Sequence, residues 1–246
     1  MNSSALVTAV IPSYNHAKYI KESIQSMIDQ DYENMEMIII DDGSSDNSIE
    51  IIESMIPLCK KRFKRFEFRH RENKGLCTTL NEAIIWAKGK YLSILASDDI
   101  ALSHKISFLI EKIENSNYPA VFGDIKRIGE RNDKEPNIKE FTIHTFDEIF
   151  TLQNRPFAPS SIYRIEALKE IGGYPVNIAV EDWYMELKFT ENNSKIVSYP
   201  EVLTYYRRHN KNTSKNYELI YNNFIKIVDN YKNHKLYFKA RRLCDI

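Results

Sequence analysis

Net charge is absent from this chain of 246 residues, because 34 lysines and arginines balance 34 aspartates and glutamates. A neutral protein has no general attraction to a phosphate backbone, so we expect no nucleic-acid partner. Cysteine is scarce: Cys59, Cys77 and Cys244 are odd in number and far apart, which is typical of reduced thiols in the cytosol. They form no CxxC pair and no Cys/His cluster, so the sequence does not indicate a cysteine-based zinc or redox site.

Long hydrophobic runs are also missing. No stretch approaches the roughly 20 apolar residues that a membrane span needs. The apolar run at 5–11 is short and ends at Pro12, unlike the hydrophobic part of a signal peptide. We therefore expect a cytoplasmic protein, unless its surface attaches it to a membrane.

The first half of the chain alternates between two hydrophobic periodicities. Continuous apolar runs bounded by turn residues predict strands at 6–11, 35–41, 66–70 and 91–95. Apolar residues at helical spacing predict helices between them, at about 17–29, 49–59 and 76–87. This alternation predicts an α/β fold with a mostly parallel, doubly wound, Rossmann-like sheet joined by right-handed crossovers.

Beyond residue 99 the pattern loosens, and we expect helices at 105–115, at 165–171 and from about 181, a strand at 120–122 and a polar loop at 129–137. No repeat, low-complexity run or linker precedes residue 212, so we expect one domain over 1–214 and a helical extension over 215–246. The extension has seven basic residues against three acidic ones, interleaved with aromatic residues. Such a surface can lie on anionic lipid, or the extension can pack on the domain and keep a solvated basic side.

Two acidic pairs, Asp41-Asp42 and Asp98-Asp99, follow predicted strands. Adjacent carboxylates repel each other, so their presence indicates a compensating partner such as a hydroxyl, a base edge or a divalent cation. Asp42 is also placed to stabilise the turn at 43–44 through local hydrogen bonds. The carboxyl edge of a parallel sheet is where open α/β proteins bind ligands, and the two pairs predict a ligand site there.

Several short motifs occur in an order that matches one known family. They are VIPSYN at 10–15, IIDDGSSD at 39–46, NKG at 73–75 with Asn81, ASDD at 96–99, GGY at 172–174, Glu181-Asp182, and YRRHNKNTS at 206–214. On these motifs the chain resembles the family 2 glycosyltransferases of the GT-A fold, over about residues 7–214. Each motif is weak alone, whereas the ordered set is specific.

The resemblance implies a nucleotide-sugar donor. Its contacts would come from residues at strand ends and in the loops that follow them: Pro12, Tyr14, Asn15, Asp41, Asn73, Gly75, Asp98 and Arg207. Asp41 would hold the uracil of a UDP-sugar, and the loop of Asn73 and Gly75 would lie beside the nucleotide. The residues alone leave simpler roles open, with Tyr14 packing at a rim and the 73–75 loop acting as a helix cap.

The resemblance also implies a divalent cation, Mn²⁺ or Mg²⁺, that stabilises the departing nucleotide diphosphate. Its ligands would be Asp98, Asp99 and His209, although a solvated basic loop is an alternative for the last of these. The family has a DxD-like motif here, and its first aspartate position is Ala96 in this chain. The missing carboxylate predicts a weaker site, completed mostly by phosphates and water.

Asp182 matches the general base of the family, which takes the proton from an acceptor hydroxyl. We expect Glu181, Ser160 and Trp183 to line the acceptor site. Ordinary structural roles are the alternative, since acidic residues favour the first turn of a helix and serine often caps one.

Together these assignments imply an inverting transfer of one sugar, by a single in-line displacement, from a UDP-sugar to a hydroxyl of a saccharide or lipid-linked oligosaccharide. We expect a hexosyl- or N-acetylhexosaminyltransferase of cell-surface polysaccharide synthesis, held at the inner membrane face if the extension attaches there. A non-catalytic relative that binds sugar nucleotides is the alternative, because Ala96 breaks the metal motif. A sugar nucleotidyltransferase is disfavoured, because residues 12–16 contain no glycine-rich phosphate loop.

Overall fold

The predicted alternation of strands and helices is present in the computed structural model, which describes residues 4–129, 138–210, 212 and 215–243. The strands in these ranges are β1 (Val7–Ser13), β2 (Met35–Asp41), β3 (Phe66–His70), β4 (Tyr91–Ile94), β5 (Ile100–Ala101), β6 (Ala120–Gly129), β7 (Thr142–His144), β8 (Ser161–Arg164) and β9 (Ile196–Arg208). The helices are α1 (Ile20–Ile28), α2 (Ser48–Arg62), α3 (Leu76–Trp86), α4 (Lys105–Glu114), α5 (Phe146–Phe150), α6 (Ile165–Glu170), α7 (Glu181–Thr190), α8 (Tyr217–Asp229) and α9 (Tyr237–Leu243). Cys244, most of the loop expected at 129–137, and Lys211, Thr213 and Ser214 of the last motif lie outside the described residues.

Element boundaries in the first half agree closely with the sequence, and β2 and β3 have the predicted bounds. The first helix begins at Ile20 instead of residue 17, because the preceding residues form a turn. In this turn the His16 carbonyl accepts hydrogen bonds from the N–H groups of Tyr19 and Ile20. In the second half, β6 continues well beyond the predicted 120–122, because it pairs with β9 as far as Gly129.

Within the described residues, the nine strands form one sheet in the order β3-β2-β1-β4-β8-β6-β9-β5, with β7 paired to β9. β3, β2, β1 and β4 run parallel, so their carboxyl ends share one edge. β8 is antiparallel to β4 and β6, whereas β6 and β9 are parallel. The looser sequence pattern beyond residue 99 thus corresponds to antiparallel strands built into a larger sheet.

Both faces of the sheet are covered, which explains the continuous apolar runs of the central strands. Successive residues of β2 point to opposite faces, so that Ile38 and Ile40 join one core cluster while Met37 and Ile39 join the other. All seven residues of β2 are buried. Loops that leave the carboxyl edge of these strands are therefore anchored to the most rigid part of the molecule.

The C-terminal extension packs on this core. Ile227 and Val228 of α8 and Ala240 of α9 belong to the same cluster as Ile38 and Ile40. Along the described residues, no helix combines the length and hydrophobicity that crossing a bilayer requires. The extension is thus helical, and it shares the core of the domain.

Candidate active site

The loop after β1 is held in place by the loop after β2. Asn15 has a left-handed backbone (φ 54°), and its N–H donates to Ser44 Oγ at 2.8 Å. Its side-chain oxygen accepts from Ser45 N–H at 2.7 Å. His16 N–H donates to Ser48 Oγ at 3.1 Å, at the start of α2. These bonds fix the position of the loop that carries His16.

Asp41 closes the turn after β2 from inside the protein. Its carboxylate is fully buried and accepts from Ser44 N–H at 2.8 Å and from Ser44 Oγ at 2.6 Å. It also accepts from Ser13 Oγ at 2.9 Å, across the parallel pair of β1 and β2. The predicted contact of Asp41 with uracil stays a prediction, since both carboxylate oxygens already have protein donors.

Asp42 binds the loop before α3. Its two oxygens accept from Lys74 N–H at 2.8 Å and from Gly75 N–H at 2.9 Å, and it forms an ion pair with Arg71. The prediction that Asp42 stabilises the turn at 43–44 was therefore wrong, because its bonds reach across the chain while Asp41 holds the turn. A protein carboxylate, moreover, already occupies the N–H groups of Lys74 and Gly75.

The remaining predicted contacts of the nucleotide lie near the same edge. Tyr14 follows β1 and is 49% exposed, and Asn73 is exposed between β3 and α3. Pro12 is opposite Ile40 in the register of β1 and β2. The structure thus places these residues around the carboxyl ends of neighbouring strands, where a ligand has access to them.

Three possible metal ligands meet where β4 and β9 end. They are His16, Asp98 and His209, and their nitrogen and oxygen atoms lie within 4.8 Å of one another. Asp98 Oδ2 is 2.9 Å from His209 Nε2, and Asp98 Oδ1 is 3.9 Å from His16 Nδ1. The register of β5 and β9, with Ile100 opposite Tyr205, brings the loop of Asp98 close to the end of β9, which His209 follows.

The two imidazoles of this group are positioned by their neighbours. The His209 ring stacks on the Tyr19 ring with 5.1 Å between centroids and meets the His16 ring edge-on at 5.6 Å. Asn212 accepts from His209 N–H at 2.6 Å, which fixes the turn after β9. His16 Nδ1 lies 2.7 Å from Ser97 Oγ.

Asp99 lies outside this group, in the interior. It is fully buried, and Oδ1 accepts from Arg207 N–H at 2.8 Å, while Oδ2 has no hydrogen-bond partner among the described residues. Burial, together with the adjacent Asp98 charge, raises the pKa of Asp99 to about 8. The structure therefore gives Asp99 a role inside the fold, and its predicted part in metal binding stays a prediction.

Arg207 holds the loop that carries Asp98 in position. Its Nε donates to the Asp98 carbonyl at 2.8 Å, and its guanidinium pairs with Glu22 of α1. The guanidinium also lies over the Tyr19 ring, 4.8 Å from its centroid. Neutralisation of a diphosphate by Arg207 stays a prediction.

Asp182, the predicted base, stands in the first turn of α7 with 41% of its side chain exposed. Its Oδ2 is 3.3 Å from Arg155 Nη2, and its Oδ1 accepts from Trp183 N–H at 2.7 Å. Arg155 in turn makes bonds of 2.7 and 3.1 Å to Glu186, whose side chain is only 2% exposed. A fork of two hydrogen bonds thus holds the arginine that faces Asp182.

The start of α7 lies on the same side of the molecule as the strand ends. Cys77, in the first turn of α3, donates to the Ile178 carbonyl at 3.3 Å. Asn81 donates to the Tyr174 carbonyl and accepts from Tyr174 N–H, both at 2.8 Å. Because α3 begins at the carboxyl edge, these bonds hold the segment that leads into α7 against a helix that starts at that edge.

Two of the residues predicted for the acceptor site are fully buried, and their contact with an acceptor stays a prediction. Trp183 is fully buried, and its indole N–H donates to the Ile149 carbonyl at 2.9 Å. Ser160 is also fully buried, and its hydroxyl donates to the Asp124 carbonyl at 2.7 Å. Glu181 is partly buried beside Asp182, and burial together with the Asp182 charge raises its pKa to about 8.

Sequence reasoning missed His16, Arg155 and Glu186. His16 had a detectable signal, because it directly follows the VIPSYN motif at the end of β1. Arg155 and Glu186 had none, since an isolated arginine and a helical glutamate are ordinary surface residues in a sequence. Only the folded structure, in which the segment after α5 lies beside α7, brings them together.

Solved structures of similar fold support the architecture. The first 349 residues of Staphylococcus aureus TarS, in complex with UDP-GlcNAc, match with a TM-score of 0.74 and 22% identity over 97% of this chain and 69% of that one. The mannosyltransferase PcManGT from Pyrobaculum calidifontis, in complex with GDP-Man and Mn²⁺, matches with a TM-score of 0.72 and 15% identity over 99% and 70%. At these identities the likeness shows the fold alone, and it confirms the GT-A fold.

Sequence comparison adds relatives and a family. An uncharacterised glycosyltransferase of Rickettsia bellii (strain RML369-C) is 30% identical over 192 residues, which is 77% of this chain and 27% of that protein. Glycosyltransferase GlyG of Streptococcus pneumoniae serotype 4 (strain ATCC BAA-334 / TIGR4) is 36% identical over 122 residues, 49% of this chain and 39% of that protein. The chain thus spans less than half the length of either relative. The family model "Glycosyl transferase family 2" matches residues 8–172, well over half of the chain, and the protein therefore belongs to family 2 of the glycosyltransferases.

Proposed function

We propose that this domain is an inverting glycosyltransferase that moves one sugar from a nucleotide-diphosphate donor to a hydroxyl. The observation that carries the proposal is the meeting of Asp98, His16 and His209 at the carboxyl edge of the sheet. The half-exposed, arginine-paired Asp182 near the same edge supplies the second component. A cation site for the leaving group and a base for the acceptor are what a single displacement requires.

The donor atoms suit the divalent cation that the fold family implies. Two imidazoles and a carboxylate are ligands that Mn²⁺ accepts, and they are close enough to share one ion after small side-chain movements. Asp98 and His209, with His16, would hold Mn²⁺ or Mg²⁺, and the ion would supply positive charge to the departing diphosphate. The chain's own contribution is to fix these ligands on rigid strand ends.

Asp182 would accept the proton of the attacking hydroxyl. Its exposure gives a hydroxyl access, and Arg155 forms an ion pair with it, with Nη2 3.3 Å from Oδ2. The bond from Trp183 N–H orients the carboxylate at the start of α7. Glu181, beside it, is the remaining predicted acceptor contact.

The donor would be a UDP-sugar and the acceptor a saccharide or lipid-linked oligosaccharide of cell-surface polysaccharide synthesis. TarS in complex with UDP-GlcNAc supports a UDP-linked N-acetylhexosamine as the donor. The structure of PcManGT is a complex with GDP-Man, so the nucleobase of this protein's donor has to be tested directly. The reaction would take place in the cytoplasm, with the exposed aromatic residues of the extension, Tyr217 and Phe238, as a peripheral membrane contact.

The alternative function is a sugar-nucleotide-binding relative without activity, which the missing carboxylate at Ala96 favours. The two functions differ in one measurable product. A transferase slowly releases free UDP from a UDP-sugar when Mn²⁺ is present, whereas a binding protein releases none.

The substitution Asp182→Asn tests whether Asp182 is the general base. We expect transfer and donor hydrolysis to fall about 10²- to 10⁴-fold, which is the usual contribution of a general base, while UDP affinity stays within about twofold. Asp147→Asn is the matched control, because Asp147 also lies in the first turn of a helix, faces basic partners and is 40% exposed. Loss of UDP binding in Asp182→Asn, or equal activity in both variants, would contradict the assignment.

A further inference from the structure

The cation site contains one side chain that its sequence motif does not account for. The motif at 96–99 retains the aspartate at Asp98 but has Ala96 in place of the first one. His16, from the loop after β1, lies beside Asp98, with Nδ1 3.9 Å from Asp98 Oδ1. Asp98 therefore has one imidazole on each side, because its other oxygen faces His209 at 2.9 Å.

We propose that His16 is the third protein ligand of the cation and takes the place of the carboxylate that residue 96 lacks. The site then consists of two neutral imidazoles and one carboxylate. This inference rests on the proposed function, since it assigns a ligand to the cation of that site. It adds a residue and a metal preference that the family motif does not contain.

The backbone presents His16 to the site independently of any ion. Its N–H is bound to Ser48 and its carbonyl to the first N–H groups of α1, so both sides of the peptide are fixed. The side chain is 22% exposed, which leaves solvent and a cation a path to the ring. Without a cation, Ser97 Oγ, 2.7 Å from Nδ1, satisfies the same nitrogen.

The change of ligand type predicts a change of metal preference. Mg²⁺ and Ca²⁺ are bound by oxygen ligands, whereas imidazole nitrogen suits Mn²⁺, Co²⁺ and Zn²⁺. Replacement of one carboxylate by one imidazole also lowers the negative charge of the site by one. The site should therefore select Mn²⁺ or Co²⁺ strongly over Mg²⁺.

Mn²⁺ binding, followed by the electron paramagnetic resonance signal of free Mn²⁺ with and without UDP, tests the proposal without any turnover. His16→Ala should bind Mn²⁺ about tenfold or more weakly than the unchanged protein, in line with the effect of lost metal-site groups. Pulsed measurements on bound Mn²⁺ should detect two coordinated histidine nitrogens in the unchanged protein and one in the variant. His16→Asp should restore affinity and raise the Mg²⁺ to Mn²⁺ affinity ratio, because it returns an oxygen ligand.

His234→Ala is the matched control, since His234 is 25% exposed and lies 3.4 Å from a carboxylate of Asp147. Its Mn²⁺ affinity should equal that of the unchanged protein, and circular dichroism should show the same fold for all variants. Equal Mn²⁺ affinity and equal nitrogen coupling in His16→Ala would overturn the ligand assignment while the transferase proposal stands. If Mn²⁺ binds through His16 but no UDP is released from a UDP-sugar, the ligand assignment stands and the transferase proposal is overturned.

Discussion

Glu181 and Asp182 are adjacent in the first turn of α7, yet their surroundings differ. Asp182 is half-exposed and faces Arg155, so a partner stabilises its charge. Glu181 is partly buried, and burial with the neighbouring charge raises its pKa to about 8. The two neighbours therefore differ in environment, and the proposed reaction uses the more exposed carboxylate, that of Asp182.

Glu181→Gln should remove a pH-dependent loss of stability. The folded pKa of about 8 is above the ordinary value of 4.5, so the folded state retains a proton that the unfolded state releases. The contribution of Glu181 to the free energy of unfolding is fully present below about pH 4.5 and is lost as the pH rises through 8. Urea unfolding should give similar free energies for both proteins near pH 4.5 and a variant more stable by about 1–3 kcal/mol near pH 9. Parallel pH profiles for the two proteins would contradict the raised pKa.

Single residues were predictable where a motif and a strand end coincide. Asp98 and His209 lie far apart in sequence, and the structure brings them to 2.9 Å as the motifs suggest. Trp183 adjoins Asp182 in sequence, but successive residues of a helix face different directions. Its side chain enters the core while the carboxylate stays at the surface.

Between elements, the loop after β2 and the loop before α3 come into close contact at a glycine. Gly43 has φ 80°, and a Cβ at this position would lie 2.8 Å from Asn73 N. Asp42, the residue before Gly43, accepts hydrogen bonds from the N–H groups of Lys74 and Gly75 in the same loop. The spacing of the two loops thus depends on the absence of a side chain at residue 43.

Gly43→Ala should weaken both stability and UDP binding, because a methyl group would push the loops apart. Gly172→Ala is the matched control, since Gly172 has φ 86° and nothing within 4 Å of its would-be Cβ. We expect a loss of about 1 kcal/mol for the control, from backbone conformation alone, and about 2–4 kcal/mol for Gly43→Ala in urea unfolding. UDP titration should show weaker binding only for Gly43→Ala. Equal effects of the two substitutions would show that the close contact has no energetic importance.

Elements were predictable in the first half because each buried strand is followed by an amphipathic helix, so two periodicities alternate in the sequence. The second half was less predictable because its strands pair with partners distant in sequence. β8 has four residues and is antiparallel to both neighbours, and β9 gains much of its length from pairing with β6. Tertiary pairing of this kind leaves little local pattern.

At the scale of the whole molecule, the extension and the domain share one core, so deletion of the extension cannot test membrane contact. Ile227 and Val228 of α8 are fully buried in the core cluster, so removal of α8 would expose the residues of the domain that pack against them. A chain that ends at residue 216 should therefore be destabilised by several kcal/mol, from the loss of at least two buried aliphatic side chains and their partners. Single substitutions of exposed residues of the extension, made in the full chain, avoid this loss of stability.

Phe238→Ser tests the membrane contact directly, because Phe238 is 76% exposed on α9. In co-sedimentation with vesicles that contain anionic lipid, we expect at least about a threefold loss of binding, in line with removal of one exposed aromatic ring from the interface. Ile85→Ser is the matched control, since Ile85 is 82% exposed on α3 and lies outside the extension. Unchanged binding of Phe238→Ser would rule out this face as the membrane contact.

β9 lies between β6 on one side and β5 and β7 on the other, although it is the last strand in sequence among the described residues. A nascent chain on the ribosome that ends before residue 196 therefore exposes the edge of β6, which is a template for pairing with another chain. The same unfinished chain lacks His209, so it cannot bring together the three proposed metal ligands. Synthesis of β9 therefore both covers the edge of β6 and delivers the residue that completes this group.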